Sequence, residues 1–254
     1  MSSNYRSILN VQGSSFENVN SFTFDGNNDY IDCGDNNNLS FGNGSTDLPF
    51  SISTWVKMTD ATKFRILVKS DGTSREYHFY TGGNDKLVFQ LFDSSLNYIG
   101  RLFDTALTSY QNQWIHLTAT YDGSGNNTGL KIYLNGNRVD DVNSSGGSYT
   151  AMTNTSIPVH IGRYKTDYSN GIIDETAIFN SELSASDVTT IYNSGIPNNL
   201  NDLSTPPLSW WRMGEEANYT GGQWTLTDQG SGGNDGTSTT LPAPPAQPST
   251  DVPT

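Results

Sequence analysis

The chain has 254 residues, with 13 Lys plus Arg against 26 Asp plus Glu, a formal charge of −13. That excess repels phosphate backbones and anionic lipid surfaces, which argues against nucleic acid as a partner, and no run approaches the ~18 apolar residues of a membrane span. Charged residues are only 15 % of the total while aromatics reach 11 % and glycines number 25, a balance suited to many short strands joined by polar turns rather than to helices.

Cys33 is the sole cysteine, so no intrachain disulfide forms and stability must come from the core. The opening Met1-Ser2-Ser3-Asn4-Tyr5-Arg6 lacks an apolar signal core, which predicts a protein that stays where it is made or leaves by a route needing no signal, such as assembly into a particle. Residues 1–19 read as an N-terminal arm. From Ser21 onward apolar residues recur at period two in runs of five to nine, the pattern of half-buried antiparallel strands. Phe50, Ile52, Val56 and Met58 form one such row, Leu87, Phe89 and Leu91 a second, and Ile115, Leu117, Ala119 and Tyr121 a third. Asn135-Gly136 between Leu130–Leu134 and Arg138-Val139-Asp140 predicts a type I′ hairpin. Asp71-Gly72, Gly82-Gly83 and Asp122-Gly123 mark further turns.

One helix is predicted after Ser184, whose hydroxyl caps it in a box with Asp187; Val188, Ile191 and Tyr192 give its apolar face, and Gly195 is the expected stop. Pro197, Pro206 and Pro207 then break the chain before the aromatic run Leu208-Ser209-Trp210-Trp211-Arg212-Met213. Residues 241–254 read as a Pro-rich tail, extended and without regular structure unless a partner orders it.

Five ordered segments carry a family resemblance: Phe24-Asp25-Gly26-Asn27-Asn28-Asp29-Tyr30-Ile31, the strand from Phe50 to Lys57, Trp114 to Asp122, Leu130 to Gly136, and Gly171 to Asn180 with its trailing helix. Together they resemble the laminin-G-like jelly rolls of the concanavalin A-like lectin/glucanase superfamily, over roughly residues 20 to 196. The resemblance implies an all-β, two-sheet antiparallel sandwich with one short helix on the C-terminal side. In that family, segments like Trp211–Glu216 and Asp228–Thr237 usually precede the first strand, whereas here they follow the helix. Either they begin a truncated repeat, or the domain is circularly permuted and 208–237 completes a sandwich spanning 20–240. Burial of Trp210, Trp211 and Trp224 favours permutation, since exposing such rings costs a few kcal/mol.

The sandwich followed by Ser209-Trp210-Trp211-Arg212-Met213-Gly214 resembles virion structural proteins of marine tailed bacteriophages. This implies a non-catalytic capsid decoration or fibre protein on the virion surface, homo-oligomeric on the particle and attached to other virion proteins through its arm or its Pro-rich tail. Attachment to host cell-surface carbohydrate is compatible with that role, and the alternative is an extracellular adhesin or secreted carbohydrate-binding module.

Superfamily glucanases place paired carboxylates on one strand face about 5 Å apart. Asp174 and Glu175 are adjacent, and neighbours on a regular strand point to opposite faces, which argues against hydrolysis. The acidic first turn offers oxygens for calcium, and the family places that turn near the later acidic strand, so Asp25, Asp29 and Asp174 are the expected ligands. The competing reading is an Asx turn in which Asp25 bonds its own backbone. His78, His116 and His160 lack metal or triad spacing and read as packing or surface residues. For sugar stacking the outer-row candidates are Trp55, Tyr77, Phe79, Tyr80, Tyr98, Tyr164 and Tyr168. Of these Trp55, Tyr98, Tyr164 and Tyr168 are retained as expected ligand residues, the last two because they lie in a polar loop.

Overall fold

The structure, a computed structural model, describes residues 16–254, so most of the expected N-terminal arm lies outside it. Two antiparallel sheets enclose one apolar core. The first sheet runs Phe22–Asp25, Asn170–Phe179, Phe50–Asp60, Ile115–Tyr121, Leu130–Leu134, Asn137–Arg138, with Ser209–Trp211 also paired to Asn170–Phe179. The second runs Val142–Asn143, Tyr98–Ala106, Lys86–Phe92, Arg75–Thr81, Arg65–Ser70, Val159–Ile161, Ile31–Asp32, Gly236–Ser238, Gln223–Leu226, Ala217–Thr220. A short ribbon of Arg163–Tyr164 and Asp167–Tyr168 stands beside the second sheet.

The period-two rows land where alternation places them. The Phe50, Leu87 and Ile115 rows all enter the main core, each large side chain contributing about 1.5–3 kcal/mol over exposure. Tyr77 and Phe79, two of the outer-row candidates, also point inward, because Glu76, His78 and Tyr80 occupy the opposite face of their strand. The Asn135-Gly136 hairpin forms with both residues at positive φ, 49° and 77°, as a type I′ turn requires.

The helix spans Ala185–Tyr192 and carries the Ser184/Asp187 capping box. Its stop differs from expectation: Asn193, at φ 45°, takes the left-handed position two residues before Gly195. Val188 and Ile191 pack with Ala177, Phe179 and Trp210 into a second, smaller core over the outer face of the first sheet.

The C-terminal segment contributes to both sheets. Trp211, Trp210 and Ser209 pair with Thr176, Ala177 and Ile178, while Thr237 pairs with Asp32. Trp211, Met213, Trp224 and Leu226 join the main core. Beyond them, the tail 241–254 adds no strand, yet it is fixed to its own domain without a partner. Ser249 bridges Ser21, Leu241 and Gln247 are buried, and the Asp251 carboxylate accepts bonds from Lys57 Nζ at 2.6 Å and Trp114 Nε1 at 2.8 Å. A proline-rich segment is already stiff, so docking it costs little conformational entropy.

Candidate functional site

The outer face of the second sheet carries a row that the core does not use. With Tyr77 and Phe79 turned inward, His78 and Tyr80 face out; with Leu87, Phe89 and Leu91 inward, Gln90 and Phe92 face out beside them. Tyr98 is paired with Phe92, and Gly100 with Gln90. Arg75 begins the strand that carries His78 and Tyr80, Arg65 comes from the neighbouring strand Arg65–Ser70, and Tyr164 from the short ribbon. These residues line an open cleft of about 290 Å³.

The ribbon is pinned over the cleft by charge. Asp167 accepts from Arg65 at 2.6 Å and from Lys63 at 3.3 Å, and these cations hold its carboxyl below the usual range against the opposing push of burial. The Arg65 guanidinium lies 4.9 Å from the Tyr80 ring centroid and 5.5 Å from that of Tyr164, within cation–π range. Arg75 lies 5.2 Å from the Phe92 ring. His78 sits between Phe92 and Tyr164, 4.8 Å from each, and burial with two nearby arginines keeps its imidazole neutral. The Tyr80 hydroxyl donates to Gln90 Oε1 at 3.0 Å, and Gln90 Nε2 donates to Ser144 at 2.8 Å. The lining contains aromatic faces, an amide and two guanidiniums but no carboxylate. It is equipped to grip a polyhydroxylated ring and not to supply the carboxylate pair of a glycosidase.

Of the four expected sugar-binding residues, the structure brings Tyr98 and Tyr164 together here. Tyr168 lies apart, facing Tyr30 and the Arg163 guanidinium. Trp55 is a correction: it is buried on the first sheet against His116 and Tyr192, because the helix covers that face. Arg65, Arg75, Gln90 and Phe92 are not among the residues singled out from sequence, and His78 reads there as a packing or surface residue, not as a ligand contact. Alternation within Arg75–Thr81 and Lys86–Phe92 carries the signal for three of them.

The expected calcium ligands do not converge. Asp25 pairs with Asn170, four residues from Asp174 along the strand, or about 13 Å at the usual rise. Asp25 instead forms the competing Asx turn, its Oδ1 accepting from Asn27 N at 2.8 Å and Asn28 N at 3.3 Å. Asp29 Oδ2 accepts from Asp25 N, and burial with the Asp25 charge raises its pKa to about 6.

Asp174 belongs to a different cluster. A register shift lies between Asp174 and Ala177, and Glu175 adopts φ 47°, so alternation fails at the point where it argued against a carboxylate pair. Oxygens of Asp174, Glu175 and Glu215 lie within 4.8 Å of one another. Asp174 accepts from Asn18 Nδ2 at 3.0 Å and Glu175 N at 2.9 Å; Glu175 accepts from Trp210 Nε1 at 2.5 Å and Arg212 Nε at 3.2 Å. Glu215 Oε1 accepts from Val19 N and Asn20 N, leaving Glu215 Oε2 and Asn18 Oδ1 buried without partners. Burial raises the Glu175 pKa to about 8 despite Arg212, and burial with the Glu175 charge raises that of Asp174. With Asp174 and Glu175 0 % and 3 % exposed, substrate has no access to them; the chamber ties residues 18–20 and 210–215 to the central strand.

Residues 25–189 match a family model described as the concanavalin A-like lectin/glucanases superfamily. Among solved structures, a Bacteroides ovatus protein provisionally described as carbohydrate binding superposes with a TM-score of 0.56 at 16 % identity. The match covers 85 % of this chain, which spans only 58 % of that protein. Domain 4 of an extracellular arabinanase from Geobacillus stearothermophilus, solved with arabinotriose, gives 0.43 at 19 % identity, covering 58 % of this chain and 68 % of that one. Domains LG4-5 of the mouse laminin alpha1 chain give 0.43 at 14 % identity, covering 63 % and 40 %. A search of curated protein sequences finds no match.

Proposed function

The chain belongs to the concanavalin A-like lectin/glucanases superfamily, and we propose on that premise that it is a non-catalytic carbohydrate-binding sandwich whose sugar lies in the second-sheet cleft. The supporting observation is the meeting of Tyr98, Phe92 and Tyr164 with the Gln90 amide and two guanidiniums in one cavity. Its volume is at the lower end of the roughly 300–1,000 Å³ of ligand pockets, which suits one or two sugar rings. The description of the Bacteroides ovatus protein points the same way.

A glycan array followed by calorimetry on the best ligand tests this reading. Tyr98→Ala and Tyr164→Ala should each weaken binding about 3- to 10-fold, the worth of one aromatic contact, with the melting midpoint unchanged. An array without a binder, or a binder indifferent to both changes, would remove the cleft from consideration.

As its setting we propose the surface of a phage particle, supported by the resemblance of the segment from Ser209 to Gly214. The docked tail leaves attachment to the N-terminal arm, whose residues 1–15 lie outside the described residues. Recovery of the chain only in the particle-free fraction would remove this setting and leave sugar binding intact.

The calcium expectation moves to the chamber. Asp174, Glu175, Glu215 and Asn18 offer hard oxygens, two of them buried without a donor, and a bound cation would neutralise converging carboxylates there. Millimolar calcium should raise the melting midpoint and EDTA should lower it. Equal midpoints under both conditions would assign the chamber to protons alone.

A further inference from the structure

We infer that the cleft selects carboxylate-bearing sugars, uronic or sialic acids, over neutral ones, through Arg75 and Arg65; this rests on the carbohydrate reading above. Arg75 makes no ion pair among the described residues. Its one hydrogen bond runs from a terminal nitrogen to Gly72 O at 3.3 Å, and its Nε is buried without a partner. Arg65 is 7 % exposed, spends a terminal nitrogen on Asp167, and also leaves Nε unpartnered. His78, 5 % exposed, leaves Nε2 unpartnered beside them.

The Arg75 guanidinium, which lines the cleft with one long hydrogen bond and no ion pair among the described residues, therefore has N–H groups free for an anionic ligand. The two guanidiniums, that of Arg65 paired with Asp167, make a cationic spot beside a neutral His78 on a chain of net charge −13. Lys165, 5.6 Å from the Tyr164 ring, adds positive charge at the rim, while Asp167, the acid on the ribbon, is engaged by Arg65 and Lys63. A planar guanidinium matches the two oxygens of a carboxylate, and the flanking rings accept the C–H face of a pyranose. A neutral sugar satisfies the rings but leaves the guanidinium N–H groups without a charged acceptor.

Calorimetry with methyl glucuronoside, its methyl ester, methyl glucoside, the methyl glycoside of N-acetylneuraminic acid, and sodium sulfate tests the inference. At least one of the two acids should bind about tenfold or more tightly than the ester and the glucoside, the worth of a charge-assisted hydrogen bond, and which acid wins identifies the source. That advantage should shrink in high salt, and Arg75→Gln should bring the acid-to-ester ratio close to one at an unchanged melting midpoint. Acid, ester and glucoside binding equally, all weakened by Tyr164→Ala, would overturn the selectivity and leave the carbohydrate reading standing. Sulfate binding as tightly as the acids would reduce the cleft to an anion site and overturn the inference. Failure of every sugar to bind would overturn both.

Discussion

Trp211→Ala is expected to lower the unfolding free energy by about 3–5 kcal/mol, the cost of deleting a fully buried aromatic side chain. Trp211 is 0 % exposed, packs in the main core, pairs with Thr176 and donates its indole N–H to Asn234 O at 2.7 Å. The change therefore opens a cavity and strands a carbonyl, although it lies in a segment that follows the terminal helix. Urea unfolding reads the effect as a lower midpoint at unchanged slope. Were residues 208–237 the beginning of a separate repeat, the same change would leave the main transition within about 0.5 kcal/mol.

Above about pH 8, where Glu175 is ionised in the folded chain, Arg212→Ala should cost a comparable amount, about 3–5 kcal/mol, because it removes the cation facing that buried carboxylate. The Arg212 guanidinium also lies 4.4 Å from the Phe16 ring and 5.3 Å from that of Trp210, so packing is lost with the charge. Glu175→Gln in the same chain should recover part of the loss, since an amide needs no counter-charge.

The chamber also sets a pH dependence whose sign is fixed. Glu175 titrates at 4.5 when unfolded and about 8 when folded, so between those values the unfolded chain has released a proton that the folded one retains. The Glu175 contribution to stability therefore falls as pH rises, by up to ~1.4 kcal/mol per pH unit, and levels off above about 8. Asp29 acts in the same sense up to about pH 6. Buried His116, lowered from 6.5 to about 3, and His78, also lowered, act oppositely below 6.5, where the unfolded chain gains protons that the folded one refuses. The window from 6.5 to 8 thus isolates the carboxylates, with Arg212 and Glu215 as the charges facing them. Glu175→Gln should flatten the melting curve against pH there, and so should calcium if the cation occupies the chamber.

Much of the sandwich is legible in the sequence because its information is local. Period-two rows such as Leu87, Phe89 and Leu91 specify an inner face, Asn135-Gly136 specifies a turn, and Ser184 with Asp187 specifies a helix start. The three C-terminal tryptophans also signal that their segment must find a core. What local pattern does not carry is which strands become neighbours. His78 and Gln90 are readable as outer residues of their own strands, but their meeting with Arg65 and Tyr164 depends on sheet order and on the ribbon. Trp55 lies beneath the helix for the same long-range reason. Glu175 is a different case: a bulge at a non-glycine residue has no signature in period-two patterning, and with it the sequence-based separation of two adjacent carboxylates fails.

The most direct test of the carbohydrate reading is a crystal structure with the best array ligand bound. A sugar ring against Tyr98 and Tyr164, its polar groups facing Gln90 and Arg75, is the predicted result. A sugar seated elsewhere on the sandwich, with the second-sheet cleft empty at saturating ligand, would contradict it.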